Sequence, residues 1–201
     1  MIWIRSVSAF ATIYFCCDAG SALAQQPVPG QITNYSTPGN LHSDHALGCI
    51  PSGEMKNIYT PADLYPAIAK CLSADKYRDA VLVYALAAAY RRFDAMRVAD
   101  RTAQQAVFAL QEKYLGPLPD AKNERMRGEI KSEFGDTRQM GLLCARIREI
   151  GPPNYHPDYM IQHGMSAFMG VRGNGLVTNF NAKDGWEKTL ETYLHCPKPA
   201  G

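Results

Sequence analysis

The residues best equipped for chemistry lie together near the start of the chain, in His42-Ser43-Asp44-His45. Two imidazoles and a carboxylate this close are donors that zinc accepts. A solvated turn in a polar stretch explains them equally well, because metal ligands need further hydrogen bonds to hold them and an irregular segment supplies few. No metal ligand is assigned. His163, in YMIQHGMSAF, would make a hydrolase triad with Ser166 and an acid from elsewhere. The nucleophile-elbow pattern GxSxG is absent, since Gly164-Met165-Ser166-Ala167 stands there with no strand before it. A histidine used in packing or capping is the simpler reading. His195 beside Cys196 could activate the thiol as a nucleophile, but in an oxidising compartment that sulfur belongs in a disulfide. Glu129 and Glu133 share a helix face at i and i+4, as paired catalytic carboxylates can. Their neighbours Lys122, Arg125 and Arg127 account for them as solvated helix charges. The segment GVRGNG, residues 170–175, has the glycines of a phosphate loop without GK[ST] or a preceding strand. It reads as an exposed loop that offers Arg172 and Asn174 as contact residues. No catalytic residue and no cofactor follows from these motifs.

The elements that would position these residues are helices. Thr60-Pro61-Ala62-Asp63 combines a capping hydroxyl, a proline for the first turn and an early carboxylate. Leu64, Ala67, Ile68 and Cys71 then follow at helical spacing. In KYRDAVLVYALAAAYRR, residues 80–90 are apolar without a break, which predicts a helix buried on nearly all sides. Further stripes run through Ala103, Ala106, Val107, Leu110 and Tyr114, and through Met126, Ile130 and Phe134. Another, capped by Asp136, runs through Met140, Leu143, Cys144, Ile147 and Ile150 and stops at Gly151-Pro152-Pro153. Pro157 opens a sixth segment through Ile161, Met165 and Phe168 to Gly170. Asn181 opens a seventh carrying Trp186, Leu190, Tyr193 and Leu194. The one strand candidate, residues 175–180, has nothing to pair with and is expected to be a loop. The expectation is an all-α fold, a compact bundle of six to seven helices over residues 60–201.

The N-terminus begins MIWIRSVSAFATIYFCCDAGSALAQQ, with Arg5, an apolar stretch from Val7 to Cys17 and a small-residue end at Ala22-Leu23-Ala24. This is the pattern of a cleavable secretory signal over residues 1–24, and its apolar stretch is too short for a membrane anchor. Residues 25–59, rich in Pro, Gly, Ser and Asn, are expected to form an extended leader, ordered late or not at all. Removing the signal takes one charge of each sign, Arg5 and Asp18, so the net charge stays at +2. The charges are interspersed, as on solvated helix faces, and imply no nucleic acid. Four of the six cysteines remain, Cys49, Cys71, Cys144 and Cys196, with no CxxC. In an exported chain they form two disulfides. Pairing each helical cysteine with its nearest loop cysteine joins Cys49 to Cys71 and Cys144 to Cys196, and the other two connectivities stay open.

The stretch LYPAIAKCLSADKYRDAVLVYALAAAY resembles one tetratricopeptide or Sel1-type hairpin, without the 34-residue repeat of an array. In layout, with a signal, a compact helical domain, paired cysteines and no catalytic signature, the chain is similar to the periplasmic immunity proteins that bacteria keep against type VI secretion effectors. That resemblance implies a periplasmic or secreted protein that binds a toxin and covers its active site. The expected contacts are the loops at 151–156 and 170–179, with Tyr155, His156, Arg172 and Asn174. The competing readings are a helical enzyme of the envelope, which requires Glu129, Glu133, His163 or the 42–45 cluster to converge, and a structural adaptor.

Overall fold

Thr60 starts the first helix as its residue types dictate. Its hydroxyl accepts from the Asp63 amide while the Asp63 carboxylate accepts from the Thr60 amide, a reciprocal capping box at the head of α1, Pro61–Ser73. A short turn leads into α2, Tyr77–Arg97, the longest element. Its apolar run is buried almost throughout, and the small side chains of Ala85, Ala87, Ala88 and Ala89 leave room for neighbours to approach. Helix α1 lies against it, as do α4, Asp120–Gly135, and the C-terminal α8, Ala182–Lys188, with the π-helical turn Thr189–Tyr193 that continues it. Helix α3, Ala106–Leu115, follows a 3-10 turn at Arg101–Gln105 and packs on α1. Helix α5, Thr137–Ile150, is capped by Asp136 and turns Met140, Leu143, Cys144 and Ile147 inward.

The computed structural model describes residues 37–198, all within one compact unit. The expected signal at 1–24 and the first part of the leader lie outside the described residues. Eight α-helices and no strand occur among those described, so the chain is an all-α fold. None of these helices is long and apolar enough to cross a membrane.

The sixth expected helix is two. Helix α6, Asp158–Ile161, ends in a turn, and α7, Met165–Phe168, restarts after Gly164. Gly164 sits close against the 3-10 turn at 101–105: a Cβ there would stand 2.5 Å from Asp100 Oδ2 and 3.1 Å from the Ala103 Cβ. Asp100 and Thr102 also supply the caps for α7. Asp100 Oδ2 accepts from the Ser166 amide at 2.7 Å, and Thr102 Oγ1 accepts from the Met165 amide at 2.9 Å. Residues 175–180 form a loop, as expected, pinned by one antiparallel bridge between Val98 and Leu176. At the start of that loop Gly175 has φ +70°, and a side chain there would meet Ile161 at 2.7 Å.

Residues 37–59 contain little helix beyond a 3-10 turn at Ser52–Glu54, yet they are tied down along their length. Ile50 and Met55 are buried in the core. The Leu41 amide donates to Tyr159 O, the Asn154 amide to Asn57 O, and Arg146 to Ser52 O. Ser43 Oγ and the His45 amide both donate to Asp63, at 2.8 and 2.9 Å. Cys49 is joined to Cys71, and Cys144 to Cys196, the pairing of each helical cysteine with its nearest loop cysteine.

These bridges close loops of 22 and 52 residues respectively. Replacing Cys144 and Cys196 with Ser is expected to lower stability by about 4 kcal/mol, and replacing Cys49 and Cys71 by about 3 kcal/mol. Equilibrium urea unfolding measures both.

Candidate functional site

The C-terminal half of α2 determines the geometry of the expected binding loops. Asp94 is fully buried there, one turn before Arg97. Its Oδ1 lies 2.8 Å from Arg97 Nε and 2.7 Å from Arg97 Nη2, and its Oδ2 accepts from the hydroxyls of Tyr155 and Tyr159, each at 2.9 Å. The Arg97 guanidinium is stacked near the rings of Phe93 and Tyr155, 5.1 and 5.2 Å from their centroids. Burial pushes the Asp94 carboxyl above its usual range, against the pull of Arg97 and the two hydroxyls. Burial, with Asp94 alongside, also holds both tyrosines well above the usual phenol range. This cluster was not among the sequence candidates. The one signal for it is an acid and a base three residues apart at the end of an otherwise apolar helix.

Of the expected contact residues, Tyr155 is thus half-buried with its hydroxyl committed to Asp94. His156 is exposed and joins the two loops, with Nε2 donating to Asn174 O at 3.0 Å and Nδ1 3.0 Å from Asp158 Oδ1. Arg172 and Asn174 are exposed. Both line a cleft of about 370 Å³ with Asp100, Gln162 and Ser166. Beside it the chain presents Met165, Phe168, Met169 and Val171, each half-exposed or more, with Met169 at 65 %.

The remaining candidates are drawn to separate partners. His45 turns away from His42 to Asp63, with Nδ1 3.2 Å from Oδ2, whereas His42 faces Asp44 at 3.5 Å. Among the described residues no three His, Cys, Asp or Glu side chains are placed to hold a metal ion. Glu133 meets Arg78 of α2, and Glu129 lies 4.0 Å from Arg125. His163 Nδ1 donates to Asn40 Oδ1 at 2.8 Å, and burial lowers its pKa. The Cys196 sulfur beside His195 is in its disulfide. No family model, curated protein or solved structure matches the chain. Its own geometry therefore carries the functional argument, and that geometry gathers exposed apolar side chains on the 165–171 segment.

Removing the Asp94 carboxylate leaves the Arg97 charge and two hydroxyls unsatisfied. Asp94→Ala is expected to cost about 3–5 kcal/mol, and Tyr159→Phe about 1–2 kcal/mol, in urea unfolding. Asp100 titrates in the opposite direction. Burial raises it, but donation from Thr102 and from the Ser166 amide outweighs this and brings it from its ordinary 3.8 to about 2. A depressed carboxyl contributes stability above its ordinary value and loses it as the pH falls towards the folded one. Between pH 4 and about 2, α7 should therefore loosen, seen as faster exchange of the Met165 and Ser166 amides. Asp100→Asn should remove that pH dependence.

Proposed function

We propose that this chain is an exported protein-binding domain of the immunity or inhibitor class, which neutralises an antibacterial effector by covering its active site. The observation that supports this reading most is the run of exposed apolar side chains at Met165, Phe168, Met169 and Val171. Four such residues on one short segment form a patch of the kind that marks interaction surfaces, whereas isolated exposed apolar residues are ordinary. The segment is held in shape rather than left loose: Asp100 and Thr102 cap α7, and His156 anchors the following loop through Asn174 O. Such preorganisation lowers the ordering cost of association. Export belongs to the same reading. Two disulfides persist only where thiols are not kept reduced, and the N-terminal sequence has the form of a secretory signal.

The envelope-enzyme reading required its residues to converge. Glu129, Glu133, His163 and His45 instead engage Arg125, Arg78, Asn40 and Asp63 respectively.

The oxidised chain, retained on a column and exposed to effectors from competing bacteria, should hold one of them in a one-to-one complex and abolish its toxicity when both are produced in the periplasm. Met169→Asp combined with Val171→Asp should leave the thermal midpoint within a few degrees and weaken the complex at least tenfold, in line with the loss of central apolar contacts. Protection that persists in this variant, or a complex that never forms, would sink the reading.

A further inference from the structure

A second cleft, of about 560 Å³ and within the size range of small-molecule sites, shares Asn174 and Leu176 with the first. Phe93, Phe180, Pro152, Pro153 and Val177 give it apolar walls, and Arg97 is the only charged side chain among its lining residues. The other polar groups there, Asn174, Thr178 and Asn179, are neutral.

Arg97 is held in a state suited to an anion. Its Nε donates to Asp94 Oδ1; Nη2 lies 2.7 Å from the same oxygen but is buried without a hydrogen-bond partner among the described residues. A guanidinium carries five N–H donors in a planar fork, so one edge can serve Asp94 while another serves a second carboxylate. Asp94 offers it one oxygen only, because Oδ2 accepts from Tyr155 and Tyr159 instead. The Arg97 side chain is only 12 % exposed and is stacked near Phe93 and Tyr155, so charge-assisted hydrogen bonds to it are little weakened by solvent. The walls are equally fixed. The Val177 amide donates to Arg97 O at 2.8 Å and the Ala99 amide to Gly175 O at 2.9 Å, which ties the 175–177 wall to the end of α2.

We propose that this cleft is a binding site for a small amphipathic monocarboxylate, its carboxylate on the free edge of Arg97 and its apolar body between Phe93, Phe180 and the Pro152-Pro153 turn. One partly neutralised cation matches a single negative charge better than a phosphate dianion. A cationic ligand would face Arg97 with no carboxylate on the cleft wall to offset it. The inference goes beyond the protein-binding reading and stands whether or not an effector partner exists.

The test titrates the oxidised chain, at pH 7 and low salt, with three probes of one shape: 4-phenylbutyrate, 4-phenylbutanol and 4-phenylbutylamine. Heteronuclear NMR reports both the site and the affinity. The carboxylate should bind saturably, shift the Arg97 side-chain and Val177 amide signals, and exceed the alcohol by about tenfold or more, the gain of a charge-assisted pair. The amine should not bind. Because Arg97 also holds Asp94, its own replacement is not the decisive variant. Ala182→Trp alters an exposed position on the cleft wall and should abolish binding with the thermal midpoint unchanged. Val177→Glu places a competing carboxylate on the wall and should weaken binding about tenfold. Equal binding of acid and alcohol, binding that survives in both variants, or no saturable binding of 4-phenylbutyrate at millimolar concentration would overturn the proposal.

Discussion

The ionic contact between Asp94 and Arg97 is the constraint on which the rest of this molecule is arranged. Two opposite charges near the end of a buried helix are costly to desolvate, and their attraction repays that cost only when the remaining donors and acceptors are also satisfied. The satisfaction comes from outside α2. Tyr155 arrives from the loop after α5 and Tyr159 from α6, and both hydroxyls end on the same carboxylate oxygen. The path of the chain from Gly151 to Ile161 is thereby specified by hydrogen bonds as well as by packing. Tyr90, one turn before Asp94, adds to this by donating to Gly151 O at 2.9 Å. The aromatic cluster of Tyr90, Phe93, Phe180 and Trp186 then brings α8 over the same end of α2.

A second buried carboxylate, Asp63 at the start of α1, organises the segment before it in the same way. Asp63 completes the cap of α1, and its remaining lone pairs accept from Ser43 and His45. A segment with no helical or strand period thus acquires a defined path, because a buried carboxylate with unfilled acceptor sites is worse than one that captures a passing chain. The Cys49–Cys71 bridge acts on the same segment by shrinking the ensemble it can explore when unfolded. His45, which in isolation suggests metal chemistry, has a structural use here, with its ring against Asp63 and edge-on to Tyr59.

The functional consequence is a division of labour between the buried and the exposed. Three titratable groups, Asp94, Tyr155 and Tyr159, all pushed up by burial, are occupied with one another. They explain how the loops are held rather than what they do. The apolar side chains exposed nearby, Met165, Met169 and Val171, lie on a segment that the caps from Asp100 and Thr102 keep in place. Exposed side chains on a rigidly supported segment are where contact residues are commonly found.

Much of the fold was legible from residue order alone. The caps at Thr60, Asp136 and Asn181, the unbroken apolar run of α2 and the stripe of α5 all report local physics, in which hydrogen-bonding side chains end helices and apolar spacing selects the buried face. The same pattern suggested a cysteine pairing, two sulfurs on buried helix faces and two in flanking loops, and the folded chain decided it among the three connectivities. Tertiary structure decided what depends on a partner distant in sequence. Helix α7 takes its caps from Thr102 and Asp100, 63 and 66 positions away, which no local window reveals. The Asp94 cluster draws on residues up to 65 positions apart, so its members look unrelated along the chain. The fate of each histidine was decided by which acceptor the fold delivered to it. Local sequence determines which helices can form; only the folded chain determines which polar groups meet, because buried charge is satisfied wherever the packing brings a donor.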